Sequence, residues 1–527
     1  MKITLEGFAG EIPKTQPRYL PQTHAASVSG ARLNRGDLAP MRSPVLIDTL
    51  AAEASRIYLH GSTWISWTGD GDAAPGPVAQ DRLYISHGAG AAPQLLYSGV
   101  YYGLALNPPN EKPAVARAGT LDPELTETVR YAYTWVTSLG EESAPSTISD
   151  AINWSPGCTI TVSMVATPGA SRLVTKKRVY RSVTSTTGVT DLYFVKELAA
   201  GVTSYVHDIA ADPPQEVLPS LDYDTPPADL AGLTALPNGI MAGFSGRDLF
   251  FCEPWQPHAW PRKYALATND PIVGLCAFGT SLAVLTTGTP YVVQGLHPDS
   301  MSMERLEQSF PCLSRRGIVD MGYAAIFPST NGLVEISQSG ARLISSALWD
   351  RDQWGALWPA GFRAAQFQGR YAFSYAPGGV GARKLAMVDL SGEMPFLLPA
   401  PGSYRDLYHH LATGRLIGLA NDGISVYSLD DSSGSLASFT WRSKPFAMPV
   451  PTGFGVIMVD AQPPTGGETP SLTAKVYRDG TLIRTITAAN VIERLPEGLG
   501  SVWQVEVSGN WTVTRIVLAG TPDEVWQ

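Results

Sequence analysis

From about residue 236 onward the chain repeats a loose unit of about forty residues, and this period restricts the fold more than any other feature. "LPNGIMAGFSGRDLFFCEPWQPHAWP" (236–261) opens the series, and "IVGLCAFGTSLAVLTTGTPYVVQG" (272–295) and "IVDMGYAAIFPSTNGLVEISQSGARLIS" (318–345) follow. "FRAAQFQGRYAFSYAPGGVGARKLAMVDL" (362–390) and "YRDLYHHLATGRLIGLANDGISVYSL" (404–429) complete it. Each unit holds short apolar runs separated by Gly-x or Asn-Gly turns, enough for one small antiparallel sheet. Such a sheet buries its faces only against neighbours like itself, so the units must close into a ring of propeller blades. "RIYLHGSTWISWTGD" (56–70) and "DRLYISHGAG" (81–90) supply the missing blade or blades. The expected architecture is an all-β chain built on a propeller of about six or seven blades.

Composition agrees. Across 527 residues only 16% are charged, with 51 Gly and 42 Pro, which fits many strands joined by turns and disfavours helical bundles. The length calls for three or four domains. Alternation is plain in "YAYTWVTS" (131–138) and in "SVWQVEVSG" (501–509), where Trp503, Val505 and Val507 alternate with Gln504 and Glu506. "AKVYRDGTLIRTI" (474–486) reads as a hairpin turning at Asp479-Gly480.

Two Pro-rich stretches, 107–119 and 211–230, lack backbone donors for central strands and read as linkers. The segment between them resembles a fibronectin type III module. The likeness rests on the Tyr/Trp strand running into Gly-Glu-Glu-Ser-x-Pro-Ser, on "RVYRS" and on "TSYVHD". The resulting division is an N-terminal extended segment (1–44), the first part of the propeller (45–119), the inserted fibronectin type III-like domain (120–222), the main part of the propeller (223–440) and a C-terminal β-sandwich (441–527).

Cys158, Cys252, Cys276 and Cys312 are far apart without a C-x-x-C pair, as expected of reduced core thiols rather than a disulfide or zinc framework. "MKITLEGFAGEIPKTQPRYLP" has no apolar run suited to export, and the most apolar stretches, such as 453–461, are too short to span a bilayer, so a soluble chain made in the cytoplasm is expected. The net charge of −9 gives no basic footprint for gripping nucleic acid.

Catalytic motifs are not found. His24, His60, His87, His207, His258, His297, His409 and His410 include no metal spacing, and His409 and His410 point to opposite faces of any strand. Asp70 and Asp72 hint at calcium but lack the other ligands of an EF-hand loop, so a polar turn is the better reading. No phosphate-binding loop, nucleophile elbow, dinucleotide fingerprint or sialidase Asp-box is present. No enzyme activity, catalytic residue, metal ligand or cofactor is therefore assigned. "EPWQPHAWP" (253–261) is the densest aromatic cluster. Trp255 and Trp260 could stack on sugar rings, but a rigid loop packed between blades or subunits is favoured. Arg35-Gly36-Asp37 spells an adhesion tripeptide inside "ARLNRGDLAPMRSP" (31–44), where a tight turn at Gly36 flanked by Pro40 and Pro44 is the simpler reading.

Taken together, "ARLNRGDLAPMRSP", "WISWTGDGDAAPGPVAQDRLYI", "YTWVTSLGEESAPS", "KKRVYRS", the 236–261 stretch, "PYVVQGLHPDSMSMERLEQSFPCLSRRGIVDMG" and "STNGLVEIS" resemble the tail nozzle (tail tubular protein B-like) virion structural proteins of short-tailed bacteriophages. The likeness covers residues from about 25 to 430. It implies a homohexameric ring below the portal and adaptor proteins, a lumen that retains and then conducts double-stranded DNA, contact with tail fibres or a distal plug, and a place in the virion tail after synthesis in the bacterial host cytoplasm. A low-friction lumen should be acidic or neutral. The alternative is a receptor- or glycan-binding tail protein.

Overall fold

A computed structural model describes residues 1–166, 172–184, 190–213, 215–392 and 394–526. Seven packed units form the ring, numbered here in order around it. Blade 1 is a two-stranded hairpin, Arg56–His60 with Thr63–Trp67. Blade 2 runs from Asp72 to Gly103, blade 3 from Ala231 to Ala267, blade 4 from Ile272 to Arg305 and blade 5 from Val319 to Leu343, each a four-stranded antiparallel meander. Blade 6 spans Arg363–Ala400, and its outer strand continues into a larger sheet. Blade 7 comprises three strands between Tyr404 and Leu429, and its fourth strand is Val45–Thr49, contributed from nearly four hundred residues earlier in the chain.

Side-chain packing closes the circle. Tyr84 of blade 2 meets Met241 and Phe250 of blade 3. Phe244 and Phe251 then meet Leu282 and Tyr291 of blade 4. Phe278 meets Phe327 of blade 5, and Ile326 meets Tyr371 and Phe373 of blade 6. Leu385 meets Leu407 of blade 7, and Ile417 meets Ile57 of blade 1. Ile65 completes the ring against Leu83 and Ile85 of blade 2. Period-two alternation makes this possible, as in Ile272–Phe278, where Ile272, Gly274, Cys276 and Phe278 are the buried alternates. The all-β propeller is thus seven-membered, with one blade half the usual width.

The inserted domain is a sandwich. Ala114–Ala118, Thr159–Ser163 and Ser204–His207 form one sheet, and Tyr131–Thr137, Val174–Thr184 and Thr190–Ala199 form another. Trp135, Trp154, Ile160 and Val179 fill the space between them. Tyr131–Thr137 is buried at every position rather than at alternate ones, because Ala132 and Tyr180 on the second face lie under Leu192 and Leu218. The Gly-Glu-Glu-Ser-x-Pro-Ser motif proves to be an edge. The N–H groups of Ser143, Ser146 and Ser149 donate to the carbonyls of Trp135, Tyr133 and Tyr131. Their hydroxyls accept from the N–H of the same three aromatic residues. Serine at every third position lets a Pro-containing segment satisfy a strand edge that it could not pair as an ordinary strand.

Two expected boundaries are corrected. The stretch 107–119 is not all linker: after Pro113, Ala114–Ala118 pairs with Thr159–Ser163, so the insertion begins before residue 120. Proline removes donors only where it stands, and the Ala-Val-Ala-Arg-Ala run beyond it is free to pair. Residues 1–44 are also not a separate lead-in. Lys2–Leu5 pairs with Thr512–Ala519, and His24–Ser29 pairs with Phe439–Ser443, so the segment supplies strands to the C-terminal sandwich. Ala9–Glu11 joins that sandwich to the outer strand of blade 6. Phe8 lies edge-on to the fully buried Trp441, with ring centroids 5.0 Å apart. Asp479 and Gly480 have φ of 49° and 79°, as a type I′ hairpin requires.

Candidate functional site

The first strand of each blade lines the propeller axis, and polar side chains converge there. A cavity of about 330 Å³ is lined by Arg56 of blade 1, Asp72 of blade 2, Thr234 of blade 3, Arg315, Arg316 and Asp320 at the entry to blade 5, and Asp406 of blade 7. Ser314 fixes the entry loop, its hydroxyl accepting from the Gly317 N–H and donating to the Phe362 carbonyl at 2.9 Å. Arg316 is thereby aimed across the axis. Its Nη1 donates to Asp72 Oδ1 at 2.5 Å, its Nη2 to the Gly71 carbonyl at 2.8 Å, and its Nε to Asp70 Oδ1. Arg315 pairs with the other oxygen of Asp72 and lies 5.5 Å over the ring of Phe244.

On the opposite side, Arg56 Nε stands 3.9 Å from Asp406 Oδ2, and that carboxylate also accepts from the Ile57 N–H. Burial pushes the Arg315 guanidinium down to about 9, with the neighbouring Arg316 adding to the effect. Burial likewise takes Arg56 down to about 10, against the pull of Asp406. Burial alone would raise Asp70, but Arg316 and Arg315 hold its carboxyl below its ordinary value. The Arg316 side chain is only 4% exposed while Asp70 is 60% exposed, which puts the clasp at one mouth of the channel. A site of this kind locks the ring shut and can hold charge.

Asp70 and Asp72, the turn that hinted at calcium, are therefore arginine acceptors. Their partners lie some 245 residues away, beyond the reach of any local motif. The Arg-Arg pair between two blades was the available signal. Among the described residues no three of His, Cys, Asp and Glu come together as metal ligands. The histidines are dispersed. His207 is buried with Nδ1 2.8 Å from the Tyr131 hydroxyl, His24 lies 3.0 Å from Thr23 Oγ1, and His410 lies 2.7 Å from Thr413 Oγ1.

His258 has a separate role in "EPWQPHAWP". Its Nε2 donates to the Glu142 carbonyl of the inserted sandwich at 2.8 Å, and its Nδ1 is 3.9 Å from Glu141, which pairs with Arg172 at 2.8 Å. This loop of blade 3 is where the insertion docks. Trp260 is 1% exposed and donates to the Pro257 carbonyl, whereas Trp255 is 55% exposed, so the two indoles do not share a surface.

The adhesion tripeptide forms a turn. Gly36 has φ of 78°, its carbonyl accepts from Phe8 N–H at 2.8 Å, and the adjacent Leu38 exchanges two 2.9 Å backbone bonds with Val513. Leu33, Leu38 and Pro40 are buried while Arg35 is exposed.

No family model and no curated protein matches this chain. Among solved structures, Hsv2 of Kluyvelomyces marxianus is similar at a TM-score of 0.23 and 9% identity, over 50% of this chain and 69% of that one. YCF48 of Cyanidioschyzon merolae reaches 0.23 and 11%, over 74% and 98%. PorZ of Porphyromonas gingivalis, a surface component of the type-IX secretion system, reaches 0.27 and 12%, over 87% and 69%. Likenesses this distant say nothing about activity or assembly, and the propeller stands on its own seven packed sheets.

Proposed function

We propose that this chain is a structural ring subunit of a phage tail nozzle, retaining and then conducting the packaged DNA. The observation that carries the reading is what its family-like motifs do. "ARLNRGDLAPMRSP" ties the N-terminal segment to the C-terminal sandwich through Leu38 and Val513. The 236–261 stretch builds blade 3 and docks the insertion through His258. The Gly-Glu-Glu-Ser-x-Pro-Ser motif finishes a sheet edge. Each motif serves architecture, as a scaffold subunit requires.

The clasp bears on the route of the DNA. With Arg316 bridging the axis, the propeller's own channel is closed, so a conduit lies between copies of the chain around a common lumen. Such a ring needs heterologous interfaces that close by rotation. Exposed apolar side chains on blade peripheries and loop tips, among them Leu296, Val380 and Leu411, are material for them. Cryo-electron microscopy of the virion tail tests the proposal: six-fold density of this chain around a DNA-bearing lumen with acidic or neutral walls supports it, and a place on a distal fibre sinks it.

A receptor- or glycan-binding role is the second reading, favoured by the exposed indole of Trp255. It requires the purified protein to bind host cells and to lose binding on Trp255→Ala.

A further inference from the structure

A strand left open at a sheet edge is a template for another strand, and proteins blunt such edges with charge, brevity or cover. Most outer strands of the propeller are protected in these ways. Blade 4 ends on Ser302–Arg305 with Glu304 and Arg305, blade 5 on Gly340–Leu343 with Arg342, and blade 7 on Val45–Thr49 with Asp48. The outer strand of blade 3, Leu266–Ala267, is two residues long, and that of blade 6, Phe396–Ala400, is covered by Ala9–Glu11. Blades 1 and 2 differ, and they are neighbours. Thr63–Trp67 reads Thr-Trp-Ile-Ser-Trp and Val100–Gly103 reads Val-Tyr-Tyr-Gly, with no charge, proline or bulge. Among the described residues each of these strands pairs on one side only. Thr63, Ser66, Val100 and Tyr101 are exposed there, and Leu46 and Ile47 are exposed on the flanking strand of blade 7. Blade 1 has two strands between four-stranded neighbours, so its two outer places hold no strand among the described residues.

We propose that the open edge of blade 1 is completed by a strand of a second copy of the chain, Thr481–Ile486 at the end of the C-terminal sandwich. Among the described residues that strand pairs only with Leu472–Arg478, so its outer side is open as well. It has six residues against the five of Thr63–Trp67, and it exposes Leu482. The edge strand of the other sheet, Ile492–Arg494, is tied to it by the 3.0 Å pair of Arg484 with Glu493 and brings exposed Val491 and Arg494 alongside. Charge is complementary across the contact. Asp48 and Asp81 are exposed and in no ion pair among the described residues, and the strand registers put Asp81 at the end of blade 2 where Val100 lies. Arg494 is likewise exposed and in no ion pair among them. Main-chain hydrogen bonds supply the affinity of an added strand, and the side chains alternating along it supply the selectivity. The two surfaces belong to different domains, so the contact is heterologous and can close by rotation. The inference rests on the ring reading and names the surfaces that join its subunits.

The test is sedimentation velocity of the full chain at increasing concentration, with thermal unfolding to show that each variant is folded. Ser66→Lys and Tyr101→Lys, both at exposed positions, should each weaken association about tenfold or more, because lysine on an edge opposes pairing. Ser302→Lys, on the already charged strand of blade 4, should leave association unchanged. Asp81→Arg should weaken it, and Arg494→Asp in the same chain should restore it. A short bis-maleimide should join chains carrying Ser66→Cys to chains carrying Leu482→Cys, and neither variant to itself, since the four native thiols are buried. Association untouched by both lysines, or Ser66→Cys joining to itself, would overturn the proposal and leave the ring reading standing. A Ser66-to-Leu482 link in an oligomer that is not a closed ring would uphold the contact and overturn the ring. A chain that stays monomeric at every concentration would overturn the second copy as the occupant.

Discussion

Arg316 and Asp72, on blades three places apart in the ring, meet across the propeller axis with Nη1 and Oδ1 2.5 Å apart. This pair makes ring closure a matter of charge as well as of apolar packing. Neighbouring blades touch through their faces, and the clasp joins one side of the ring to the other.

Truncating it should be costly. Arg316→Ala leaves the Gly71 carbonyl facing a vacated guanidinium site and Asp72 with Arg315 alone, and should cost about 1–3 kcal/mol. Asp70→Ala, at the exposed end, should cost at most about 1 kcal/mol. Urea unfolding of the two variants checks the contrast; equal effects would mean that the clasp is only surface charge.

Docking of the insertion should weaken in mild acid. Burial lowers the His258 proton affinity below its ordinary value, so the unfolded chain binds the proton more readily than the folded one. The stabilisation is complete above the unfolded value of about 6.5, declines as pH falls below it and levels off below the folded value. Replacing His258 with Gln should remove that part of the pH dependence, measured as the difference in urea midpoint between the two proteins from about pH 8 to 5.

The Arg35-Gly36-Asp37 turn should be sensitive at its centre alone. Gly36→Val forces a β-branched residue to φ of 78° and should cost at least about 1–3 kcal/mol. Asp37→Ala, with its side chain in no hydrogen bond or ion pair among the described residues, should stay within about 0.5 kcal/mol. Thermal unfolding decides between them.

The four cysteines should resist thiol reagents in the folded protein. All are free and buried, and burial pushes the Cys252 and Cys312 thiols up to about 12. Labelling at about pH 8 should be negligible until denaturant is added, after which all four should react. Fast native labelling of any one would contradict the packing described.

The blades were legible in the sequence because their evidence is local. A Gly-x or Asn-Gly turn between two apolar runs specifies a hairpin within about fifteen residues, and repetition of hairpins specifies a ring. What escaped was long-range. Val45–Thr49 looks like any strand, and nothing near it reveals that its partner is Ser425–Leu429. The boundary at 114 was hidden because a nearby proline was allowed to speak for residues it does not constrain. The clasp is half visible: Asp70 and Asp72 read as a polar turn, but the element that gives them meaning is an Arg-Arg pair on the other side of the ring.

The pairing of Lys2–Leu5 with Thr512–Ala519 has a consequence in time. A ribosome adding about 5–20 residues per second needs roughly 25–100 s to travel from the first of these strands to the second. Throughout that interval the earliest strand waits without its mate, as does His24–Ser29 for most of it. Several nascent copies on one messenger present the same waiting strands side by side. Exchange of this strand between copies is therefore the misassembly most natural to the chain, and slowing elongation late in the message should increase it.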